Sequence, residues 1–136
     1  MRRSVIMMKG VKKKQTKKKV QLKEINVFTD WMAYVIYCSS DDAKPILAKL
    51  YPDIEGKDFE HSNAIFFSNL CQVPLIWINA NERKTDKEKL LAIVHECNHL
   101  VLWIGDRIGI DSDEWHSETL EHVVKQGIKL LNIKKL

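Results

Sequence analysis

Val94-His95-Glu96-Cys97-Asn98-His99-Leu100 is the stretch whose reading decides the fold. It carries the pattern H-E-x-x-H inside an apolar run with helical spacing. On an α-helix, residues four apart stand on one face, one turn apart, so His95 and His99 can offer both imidazoles to a single metal ion. Neutral imidazole is a good ligand for Zn²⁺, and Glu96 stands beside the pair where a metal-assisted hydrolysis needs its general base. Cys97, two residues beyond His95, points away from the histidine face and is not counted as a ligand.

The flanking residues make this stretch part of a long helix. Thr85-Asp86-Lys87-Glu88 has the form of a capping box, in which hydroxyl and carboxylate each accept from the other residue's amide. Leu90, Ile93, Val94, Cys97, Leu100, Val101 and Ile104 follow at spacings of three and four, a buried stripe on a helix from about residue 86 to 107. Gly109 suits a left-handed residue just past its end. The histidines fall at the border of the stripe, where the fold can hold a metal and water can still reach it.

The chain of 136 residues is 45% hydrophobic, enough for one core and too short for two. No apolar run reaches the roughly 20 residues of a membrane-spanning helix. The short patch Val5-Ile6-Met7-Met8 is followed by lysines and does not make a signal peptide. Cys38, Cys71 and Cys97 show neither paired metal spacing nor a disulfide framework, which fits a reducing, cytoplasmic setting. The net charge of +4 hides an asymmetry. Residues 1–20 hold nine basic residues and no acid, and the remainder has thirteen basic against eighteen acidic residues. We therefore expect a basic, flexible leader at 1–19 and a single domain over 20–136. The leader can contact nucleic acid nonspecifically, although no interleaved aromatics offer stacking on bases.

Ahead of the helix, residues 20–28 and 33–38 read as strands joined at Thr29-Asp30. Pro45 to Tyr51 reads as a short helix stopped by Pro52, and residues 53–63 as a polar loop without the ligand spacing of a calcium site. Residues 64–67 and 73–78 read as two further strands, with Pro74 indicating a strand start or edge. An exposed edge next to a metal could take up an extended peptide by strand addition. After Gly109, Asp111-Ser112-Asp113 offers caps for a last helix, about 114 to 133, with Gly127 allowing close packing. The expected fold class is α+β: a small, mostly antiparallel sheet packed on the motif helix and the C-terminal helix, with one shorter helix.

A catalytic zinc usually takes three protein ligands. On the last helix Glu114, His116, Glu118, Glu121 and His122 are candidates, and spacing alone does not choose among them. His95-Glu96-x-x-His99, eighteen residues and then Glu118, within Ser117-Glu118-Thr119-Leu120, resembles the gluzincin metallopeptidases, and small phage-type members in particular. The similarity covers roughly residues 76 to 126. It implies a zincin-like fold, zinc held by His95, His99 and Glu118, and Glu96 as base. It also implies a cleft bordered by the strand at Trp77 and Ile78, and a peptide or protein substrate. Glu121 departs from the family's pattern, which often has a small residue there, and is the alternative third ligand. His122 is a candidate to stabilise an oxyanion. The expected function is a zinc-dependent metallopeptidase. The competing expectation is a non-catalytic module of the same fold that uses its basic tail to hold nucleic acid or a protein partner.

Overall fold

A computed structural model describes residues 20–52, 62–69 and 72–134. Along the chain run β1 (Lys23–Phe28), β2 (Trp31–Cys38), α1 (Ser40–Leu50), β3 (Ala64–Asn69), β4 (Gln72–Asn79), α2 (Asp86–Ile108) and α3 (Asp113–Leu130). The expected leader and most of the polar loop at 53–63 lie outside the described residues. No helix among the described residues is long and apolar enough to cross a membrane.

The fold is α+β, with one four-stranded sheet in the order β1-β2-β4-β3. Two hairpins, β1/β2 and β3/β4, are antiparallel, but they meet through a parallel pairing from Tyr34↔Leu75 to Cys38↔Asn79. The sheet is therefore mixed, with its parallel pair at the centre. A parallel pair needs a crossover, and the segment from α1 through β3 provides it. β4 accordingly lies inside the sheet, and its run Leu75, Ile76, Trp77, Ile78 is fully buried on both faces. Pro74 is tolerated there because pairing with β2 begins only at Leu75, and the β3 register shifts between Phe67 and Asn69 opposite it.

Each face of the sheet has its own core. Ile36, Cys38, Leu75 and Trp77 pack on Ala43, Leu47 and Tyr51 of the α1 side. Ile25, Val27, Ala33, Val35, Ile76 and Ile78 pack on α2 and α3. Helix α1 begins before the Pro45 signal because Ser39 caps it, its hydroxyl accepting from the Asp42 amide.

Helix α2 follows its sequence signals closely. Thr85 Oγ1 accepts from the Glu88 amide at 3.1 Å, and Glu88 Oε1 accepts from the Thr85 amide at 3.0 Å. Gly109 ends the helix in the left-handed conformation at φ 77°. Helix α3 is capped by Ser112 and turns Thr119, Val123 and Gly127 inward. It ends at Leu130, yet Leu131 and Ile133 beyond it still reach the core.

Candidate functional site

The inward stripe of α2 fixes where its motif residues point. Ile93, Cys97, Leu100, Val101 and Ile104 are fully buried, which leaves His95 and His99 exposed on one flank and Glu96 between that flank and the sheet. The Nε2 atoms of His95 and His99 lie 3.2 Å apart. Two nitrogens on one tetrahedral zinc, each about 2.0–2.1 Å from it, would be roughly 3.3–3.4 Å apart. The pair thus already spans one edge of such a site.

Aromatic packing orients the second histidine. The Phe66 ring of β3 stacks on His99 with centroids 6.3 Å apart and planes 14° apart. Phe66 is itself held edge-on by Trp103, which also meets Trp31. Glu96 is 6% exposed. Burial raises its carboxyl pKa, and the neighbouring His95 and His99 oppose that shift. Cys97 points into the core and does not line the groove, and burial pushes its thiol up to about 12.

The flank opens into a groove between α2 and β3. One end, about 320 Å³, is lined by Ala64, Ile65, Phe66, His95, Glu96 and His99. The other, about 520 Å³, shares Ala64, His95 and Glu96 and extends to Ser62, Asn63, Arg83 and Leu91. β3 is an edge strand, and its register determines which backbone groups face the groove. The Asn79 amide donates to the Asn63 carbonyl, so the hydrogen-bonded pairs with β4 fall at odd-numbered residues of β3. The N–H and C=O groups of Ala64 and Phe66 therefore point to the open edge, where no described strand pairs with them.

Trp77 and Ile78 do not border this groove. Both are fully buried in β4, and the Trp77 indole N–H donates to the Cys38 carbonyl. The edge beside the motif belongs to β3. The sequence expectation failed because the strand preceding α2 in the chain is not the outer strand of the sheet.

The candidates on α3 divide between its two flanks. His116 reaches α2, its Nε2 2.8 Å from Asn98 Oδ1 within the motif. Glu118 lies about 200° further round the helix, at 100° per residue, on the flank that carries His122 and Gln126. That flank faces β1: Gln126 bonds the Asn26 backbone and lies 3.2 Å from His122 Nε2. Glu118 is exposed, and Glu121 is exposed and pairs with Lys125 at 3.2 Å. Among the described residues, no three His, Cys, Asp or Glu side chains come together as a set able to hold a metal ion. The donors fit two corners of a zinc site and leave the third without a described residue.

Two groove residues gave no signal in the sequence. Phe66 looks like any core aromatic until β3 is known to be the edge strand. Arg83 sits in an irregular turn, where no periodicity marks which way it points. No family model, curated protein or solved structure matches this chain.

Proposed function

We propose that this chain is a zinc-dependent metallopeptidase. One observation carries the reading: two histidines at tetrahedral-edge spacing share a groove with a buried glutamate and a strand edge that no described strand covers. A closed structural site would have no use for the buried carboxylate or the open edge.

In this reading His95 and His99 would hold the zinc through Nε2. The bound ion supplies Lewis acidity toward a carbonyl and toward water. Glu96 takes the proton of the attacking water on its carboxylate and passes it to the leaving amine. Its burial supports that role, because a carboxylate shielded from bulk solvent holds a proton more readily during transfer. The backbone groups of Ala64 and Phe66 align an extended peptide along β3. Phe66 keeps His99 facing the groove. The gluzincin resemblance nominates Glu118 as third ligand, but that residue is exposed and is not grouped with the two histidines among the described residues, and no step is assigned to it or to His122.

The test is metal content together with hydrolysis. Purified chain loaded with zinc should retain about one ion per molecule. It should cleave an unstructured protein such as casein, lose that activity to a chelator, and regain it on zinc addition. A folded chain that binds no zinc overturns the reading.

A further inference from the structure

The groove contains a buried donor atom that has no hydrogen-bond partner among the described residues. Arg83 lines it together with His95, Glu96, Ser62 and Asn63. Its Nε is buried and has no hydrogen-bond partner, the one such side-chain atom among the described residues. A buried donor left unpaired costs free energy, which marks this guanidinium as one the described fold does not itself satisfy. The backbone of this residue is fixed: the Arg83 amide donates to the Asn79 carbonyl at 2.9 Å, and its own carbonyl accepts from the Tyr37 hydroxyl at 2.7 Å. The guanidinium is thus presented from a rigid turn.

Neither nearby acid among the described residues fills the role. Glu88 Oε1 already accepts from the amides of Lys84 and Thr85. Those amide bonds hold its carboxyl below the usual range, with Arg83 the smallest contributor. Glu96 lines the same part of the groove, and its carboxylate does not accept from Arg83 Nε. A ligand could therefore reach Arg83 without displacing the general base.

We infer that Arg83 is a carboxylate-recognition site, which gives the groove a preference for peptides carrying a negative charge beside the bond that faces Glu96. A carboxylate matches the guanidinium fork and can take its two terminal nitrogens together, since Nε itself is closed to the groove. That carboxylate has two sources in a peptide: an acidic side chain or a free C-terminus. The inference rests on the peptidase reading for its substrate class, while the site itself is a matter of binding.

The experiment compares three small probes: acetyl-Ala-Glu-amide, acetyl-Ala-Gln with a free C-terminus, and the neutral acetyl-Ala-Gln-amide. Their dissociation constants are measured by NMR titration on full-length, zinc-treated protein in the Glu96→Gln background, so that no probe is cleaved. At least one charged probe should bind about 10-fold or more tighter than the neutral one, the scale of a hydrogen bond to a charged partner. Which of them does so identifies the source of the carboxylate. Arg83→Gln should abolish that difference and leave the neutral probe unchanged. Arg83→Lys, keeping the charge without the fork, should fall between and serves as the second variant if Arg83→Gln does not fold. Equal binding of all three probes, no binding of any, or a preference that survives Arg83→Gln overturns the inference. Zinc content of the same samples is read separately. Carboxylate preference without zinc would remove the peptidase reading alone, and zinc without the preference would remove the Arg83 site alone.

Discussion

Gly127 of α3 rests directly on Ile93 of α2: a methyl group at Gly127 would lie 2.5 Å from Ile93 Cγ1 and 3.1 Å from Cδ1. The contact is lined by the branched part of a fully buried side chain, which has little room to retreat. It sets how closely α3 approaches the motif helix, just before the turn that carries His95.

Gly127→Ala therefore tests two opposed effects. Alanine favours the helix by about 1 kcal/mol over glycine. Overpacking a filled core costs about 1–3 kcal/mol. We expect the clash to prevail and chemical denaturation to show a less stable protein. A stabilised variant would mean that the helices can part without cost.

Alkaline stability follows from the second core. Burial, with Asp42 adding to it and a Trp77 hydrogen bond opposing it, raises Cys38 from 9.0 to about 11. Burial raises Tyr51 from 10.0 to about 12. Both groups hold their protons more tightly when folded. Their contribution is complete below the unfolded values and is lost as pH rises through the folded ones. The urea midpoint should thus fall between pH 9 and 12, and Cys38→Ala should make that fall shallower than in wild type without moving its start, because Cys97, raised from the same 9.0 to about 12, still titrates. An identical pH profile in the variant would show that Cys38 is not the group titrating.

Much of this was legible in the sequence, and what was missed has a common cause. The capping box, apolar stripe and terminal glycine of α2 are local signals, and each matches the helix found. Spacing alone also placed His95 and His99 together. Strand order is a non-local property: nothing within Val73–Ile78 says whether it lies inside the sheet, and its burial on both faces follows from the crossover through α1. The phase of α3 is equally non-local. Thr119, an ordinary polar residue by composition, faces inward and leaves its neighbour Glu118 exposed.

That phase makes a prediction against the resemblance. With α3 seated as it is, Glu118→Ala and Glu121→Ala should both keep their zinc in dialysis against a weak chelator. His95→Ala and His99→Ala should lose it, since one imidazole is left to hold the ion. Loss of zinc from Glu118→Ala alone would show that metal binding rotates α3 and completes the gluzincin ligand set.

Glu96→Gln separates metal binding from chemistry. The amide occupies nearly the same volume as a carboxylate that is itself almost fully buried, and both histidines remain in place. Zinc content should match wild type. Burial favours the neutral form of residue 96, so the substitution should not destabilise the fold. The amide cannot accept the proton of an attacking water, and turnover should fall by about 100-fold or more, the usual scale for a general base. A variant that keeps zinc and full activity would show that another group takes the proton. A variant that loses zinc would make Glu96 a support for the two histidines rather than the base.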